Sequence, residues 1–95
     1  MNLSSFEMIE KADNPGGYQC VLEFGDHYQL SIITGSGAYG NDNAPYEIAV
    51  IVNGHMTRMP GITGDELVRG YMTELEVDTV IKKLYTLTKK EPKQV

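Results

Sequence analysis

Gly35, Gly37 and Gly40 stand in the stretch TGSGAYGND at the spacing G-x-G-x-x-G, which in the right setting cradles the pyrophosphate of a dinucleotide. That chemistry depends on the third glycine opening a helix whose first amides face the phosphates. Here Asn41, Asp42, Asn43 and Pro45 lead straight into another apolar run, so the strand–loop–helix unit is missing. No Gly-Lys-Ser/Thr follows either, which removes a P-loop, and Asp42 would repel a phosphate. The loop is therefore expected to join two strands, its glycines serving backbone dihedrals. Tyr39 is then placed to cover the sheet edge or to meet a partner.

The other residue types able to do chemistry are sparse. His27 and His55 each lie beside an expected turn, without a His-x-x-x-His or Cys-x-x-Cys companion. A zinc site would have to recruit carboxylates from remote positions. Cys20 falls on the core-facing side of its expected strand, the setting of a structural thiol rather than a nucleophile. No catalytic, cofactor-binding or metal-binding residue is assigned, and the expectation is a protein that is not an enzyme and uses no cofactor. The competing expectation is a small ligand-binding domain or enzyme that uses loop 34–45 as a lid, with His27 or His55 as acid or base.

Asp65, Glu66, Glu74, Glu76 and Asp78 gather five acids around two expected helix starts. Acids in a first turn stabilise an exposed helix by about 0.3–1 kcal/mol each, and the same residues can form an acidic patch that docks on a basic protein surface. The six tyrosines, with no tryptophan, are core residues with a wet hydroxyl or, where exposed, interface contacts. The partner-binding candidates are Tyr39 and Asp42 in the loop with Glu74 and Asp78 on the helix.

Ninety-five residues make a single domain in which roughly 60–65 % of the unfolded chain's surface can be buried. With 41 % apolar and 22 % charged residues, the composition is that of a globular chain with a core. A net charge of -5 argues against direct nucleic-acid binding and against an anionic membrane surface. The charge is uneven: residues 1–78 hold twelve of the thirteen acids, while residues 79–95 hold five lysines and only Glu91. Lysines at a helix end complement its dipole. The lone cysteine suits a reducing cytosol, and with no signal-like N-terminus or apolar run of membrane length the expected location is the cytoplasm.

Periodicity supplies the elements. SFEMIEK followed by ADNPGG reads as a first hairpin turning at Pro15–Gly17. Tyr18, Cys20, Leu22 and Phe24 alternate with Gln19 and Glu23, and Tyr28, Leu30 and Ile32 with Gln29 and Ser31, the period of two half-buried strands. Tyr46, Ile48, Val50 and Val52 form another, closed by Asn53-Gly54, the favoured type I′ hairpin turn. Thr63 with Glu66 and Thr73 with Glu76 each fit a capping box, predicting a short helix near 64–70 and a longer one near 74–88. In the longer helix Val77, Val80, Ile81, Leu84 and Leu87 or Thr88 form one apolar stripe. Residues 89–95 are expected to fray. The fold class is α+β: an antiparallel sheet of four to five strands with two C-terminal helices, the longer packed on one sheet face.

The order of these features, GSGAYG, then YEIAVIVNG, then ITGDELVRGYMTELEVDTVIKKL, resembles that of small proteins of unknown function encoded by tailed bacteriophages. In those a Tyr-Gly loop precedes a YELAVL-like strand, and two helices end the chain. The resemblance covers residues 17–88. It implies a phage-encoded binder that inhibits or modulates a bacterial host protein or defence system, restriction and CRISPR complexes included. A self-assembling subunit whose exposed sheet edge pairs with a second copy is the further alternative.

Overall fold

The computed structural model describes residues 1–95. In chain order it contains a 3-10 turn at Leu3–Ser5, β1 (Ile9–Lys11), β2 (Asn14–Phe24), β3 (Tyr28–Gly35), β4 (Tyr46–Val52), β5 (His55–Thr57), β6 (Arg69–Met72), α1 (Glu74–Thr88) and β7 (Lys93–Gln94). All seven strands belong to one antiparallel sheet. Its centre is the meander β2–β3–β4, in which Leu30 faces Leu22 and Val50, and Ile32 faces Cys20 and Ile48.

Each outer position of the sheet is shared by two short strands. β1 pairs with residues 14–19 of β2, and β7 pairs with Leu22 and Glu23 further along the same strand. On the far side β6 pairs with Tyr46 and Ile48, and β5 with residues 50–52. The sheet has seven strands in place of the four to five expected, because β6 and β7 are too short to show a period, and it is five positions wide. Short, interrupted edges also give foreign strands little to pair with.

One face of the sheet carries the core. Cys20, Leu22, Phe24, Leu30, Ile32, Ile48 and Val50 are buried there with Val77, Val80, Ile81 and Leu84 of α1. The stripe predicted for α1 is the buried one, except that Leu87 stays exposed and half-buried Thr88 ends it. The capping box at Thr73 is fully formed: its hydroxyl accepts from the Glu76 amide at 3.2 Å, and the Glu76 carboxyl accepts from the Thr73 amide at 2.9 Å. Lys89, in the left-handed region at φ 59°, stops the helix.

Three expectations are corrected. The structure has one helix of α type, not two: residues 64–70 form turns that run into β6. Thr63 is buried and its hydroxyl accepts from the Met59 amide at 3.0 Å, while Met59 carbonyl accepts from Ile62, Thr63 and Gly64. The cap residue is therefore spent on a tight turn, and a segment this short, with Gly64 at φ 66°, has too few hydrogen bonds to offset helix nucleation. Pairing with β4 gives the backbone groups of residues 69–72 partners instead.

The first hairpin forms, but it reverses at Ala12–Asp13, and Pro15, Gly16 and Gly17 lie in a bulge of β2 between the Lys11↔Asn14 and Glu10↔Tyr18 pairs. In the tail expected to fray, Lys93–Gln94 form β7. It crosses to the edge of β2 that β1 leaves open, and the Gln94 side chain imitates a strand there, accepting from Glu7 amide at 2.9 Å and donating to Glu7 carbonyl at 2.6 Å.

Leu84 is fully buried between α1 and the sheet. Leu84→Asp forces a carboxylate into that interface, at a cost of several kcal/mol against a total stability of about 5–15. The expected outcome is a chain unfolded by circular dichroism at room temperature; an unchanged melting temperature would contradict the packing of helix on sheet.

Candidate functional site

Residues 35–45 are held by their own backbone. Asn41 and Ala44 exchange amide hydrogen bonds at 3.0 and 3.2 Å, and the Asn41 side-chain oxygen accepts from Asn43 and Ala44 amides. The third glycine opens no helix: a Cβ on Gly40 would fall 2.7 Å from the Pro45 backbone. Gly35, at φ 82°, runs against the Gly16 carbonyl so closely that no side chain fits. These glycines permit close backbone contact, Gly35 within the sheet and Gly40 within the loop, rather than approach of a phosphate.

Tyr39 ties this loop to the rest of the fold. Its amide donates to Glu47 Oε1 at 2.8 Å, and its carbonyl accepts from the Tyr71 amide at 2.8 Å. Glu47 is buried on the face of the sheet opposite α1, where one carboxyl oxygen receives that amide. Gly70 completes the joint, because a Cβ there would stand 2.6 Å from Tyr39 Cβ and 2.7 Å from its carbonyl oxygen.

The tyrosine rings are left outside this joint: Tyr39 is 62 % and Tyr71 60 % exposed. Tyr71 also adopts φ 54°, a left-handed conformation that costs a bulky residue on the order of 1–2 kcal/mol. Two large aromatic side chains thus project into solvent from backbones bonded to each other.

The four residues singled out in the sequence do not form one cluster. Tyr39 abuts β6, which runs through Thr73 into Glu74, an exposed first-turn acid. Asp78, one turn further, is half-buried, and its carboxyl accepts from Leu3 amide at 2.7 Å, fixing the N-terminal turn on α1. Both acids act on Tyr46, whose phenol is pushed above its ordinary pKa, first by burial and then by the negative charges of Glu74 and Asp78. Asp42 lies on another side of the loop, lining a polar cleft of about 370 Å³ with Thr34, Gly35, Asn41 and Pro45.

Sequence reasoning missed Tyr71, Gly70 and Glu47. The signal for Gly70 and Tyr71 was the short run RGYM before a strong capping box, which reads equally as the end of a helix, and that for Glu47 was a lone acid inside the apolar run YEIAVIV.

His27 Nδ1 is 2.7 Å from the Asn53 side-chain oxygen, and His27 carbonyl accepts from the Asn53 amide at 2.8 Å, clasping two turns together. His55 is exposed at the start of β5. No three His, Cys, Asp or Glu residues gather where a metal could sit, and burial pushes the Cys20 thiol pKa up. No helix is long and apolar enough to cross a membrane. Comparison with protein families, curated proteins and solved structures gives no match for this chain.

Two outcomes test this geometry. Gly70→Ala should destabilise the fold by about 1–3 kcal/mol, since backbone as well as Tyr39 Cβ must move; an unchanged denaturation midpoint would mean the joint is loose. Glu76 has its carboxyl held below the ordinary carboxylate pKa, first by the Thr73 amide, then by the Thr73 hydroxyl and Arg69. A depressed folded pKa gives stability that is complete above an unfolded value of about 4.3 and lost as pH falls through the folded one. Glu76→Gln should therefore flatten the acid limb of stability against pH, measured by urea midpoints; an identical limb would remove Glu76 from it.

Proposed function

We propose that the chain is a non-enzymatic protein-binding module, phage-encoded as the resemblance implies, which acts by covering a surface of a bacterial host protein such as a defence complex. The observation that carries this reading is the exposed pair Tyr39 and Tyr71 on a hydrogen-bonded frame. Tyrosine brings large contact area at small entropic cost, and rigid exposed aromatics are the residues in which binding energy concentrates. Backbone strain at Tyr71 fits the same reading, because strain accumulates where a side chain must be held in a required place.

An acid near the pair favours a basic partner: Glu74, two residues beyond β6, is exposed and without an ion pair. The chain would then bind a surface rich in Arg or Lys, and Arg stacks well on exposed tyrosine.

The lid reading has less support. Opening residues 34–45 would break the bonds of Tyr39 to both Glu47 and Tyr71, and neither histidine lines the polar cleft beside the loop.

The test is an affinity capture from bacterial lysate with the wild-type chain and with Tyr39→Ala plus Tyr71→Ala, read by mass spectrometry and followed by titration of the captured protein. The expected result is one stoichiometric host protein whose affinity falls at least 30-fold in the double variant, as two contacts of about 1–2 kcal/mol each imply. Retained affinity in a folded double variant would overturn the site. Failure to capture any host protein, with stabilisation by a nucleotide, sugar or metal in a thermal-shift screen, would overturn the binding-module reading itself.

A further inference from the structure

The face of the sheet turned away from α1 has no second layer. Three rows of cross-strand neighbours cross it: Ile9, Gln19, Ile33 and Glu47; Val95, Val21, Ser31 and Ala49; Lys93, Glu23, Gln29, Ile51 and Met56. Seven of these thirteen residues are apolar, and Ile9, Met56 and Val95 are 53, 48 and 65 % exposed. An antiparallel sheet can leave one face to water, but such a face is ordinarily polar throughout.

Five of the six polar residues on this face make a side-chain hydrogen bond, and Lys93 makes none. Gln19 Nε2 donates to Ser31 Oγ at 3.0 Å, Gln29 Nε2 donates to Glu23 Oε2 at 3.3 Å, and Glu47 accepts from the Tyr39 amide. Water can leave such groups at small cost, since their hydrogen bonds persist when the face is covered. Its charges nearly cancel as well: Glu23 and Lys93 are register partners, leaving Glu47, while the chain as a whole carries -5. The excess negative charge therefore lies elsewhere. A basic partner would be drawn to those other surfaces, whereas a second copy of this acidic chain meets little repulsion on a face that is almost neutral.

We propose that this face is where two copies of the chain associate, sheet against sheet, in a two-fold dimer. Five strand positions about 4.8 Å apart and about six residues of about 3.3 Å each present roughly 500 Å² per copy. Two such faces hide about 1,000 Å², the lower limit of a specific interface, so the dimer is weak and forms with rising concentration. The dimer does not rest on the tyrosine reading, although Glu47 at the rim of this face accepts from the Tyr39 amide.

The test is sedimentation velocity of the untagged chain from low micromolar to several hundred micromolar, with light scattering for mass. The wild type is expected to move from 10.5 kDa toward twice that mass, and to associate more tightly as salt screens the net charge of the two copies. Ile9→Lys with Met56→Lys, two exposed positions that leave the core untouched, should remain monomeric throughout with an unchanged melting temperature. Ile33→Asp, nearer the centre, should do the same; if it fails to fold, the exposed double variant decides. A wild type that stays monomeric at every concentration, or one whose association weakens with salt, overturns the proposal. So does a dimer that survives the double variant, which would pair through strand edges instead.

Discussion

Four side chains of α1, Val77, Val80, Ile81 and Leu84, close the only enclosed apolar layer in the molecule. Everything else is arranged around that contact. The 3-10 turn is bonded to Asp78 on the helix, and Ile62 joins the core through the turn that Thr63 organises, so both extend the cover the helix provides. A domain this small buries a modest fraction of its chain and gains little from any one layer. The burial of each of these side chains, about 1.5–3 kcal/mol, is large beside the net stability that remains after conformational entropy is met.

The central meander, the Asn53-Gly54 hairpin and α1 were legible because each depends on local pattern alone. Alternation of two in Cys20–Phe24 and Ile48–Val52, a capping box at Thr73 and a stripe at three and four leave few other solutions. What was not legible depends on partners distant in sequence. β6 exists because Tyr46 and Ile48 offer it an edge, and β7 because β1 stops short of Leu22. Neither two-residue nor four-residue strands have a period to read. The first threonine-glutamate pair misled for the same reason: Thr63 meets the spacing of a capping box, but its hydroxyl is occupied by Met59. Of the candidate site, Tyr39 was visible as an aromatic in a glycine loop, while its bond to Tyr71 depends on a strand that local sequence does not announce.

That bond changes what the glycine loop is. A connection of ten residues between two strands ordinarily samples many conformations, yet here Glu47, Gly70 and Tyr71 each constrain the same residue, Tyr39. The constraint joins the β3–β4 connection to the segment that enters α1. Binding at the exposed rings would thus meet a surface whose ordering entropy was already spent in folding, the condition under which a small contact area yields useful affinity.

The side chain of Gln94 holds the backbone of Glu7, and Asp78 holds Leu3, across separations of 87 and 75 residues. The meander, by contrast, pairs neighbours joined by short turns. Loop-closure entropy rises with the length of chain to be closed, so the topology favours an order of assembly in which β2–β3–β4 forms early and the two ends are tied last. The rim shared by β1 and β7 then behaves as a latch with its own opening equilibrium, able to exchange amide protons with solvent while the meander stays shut.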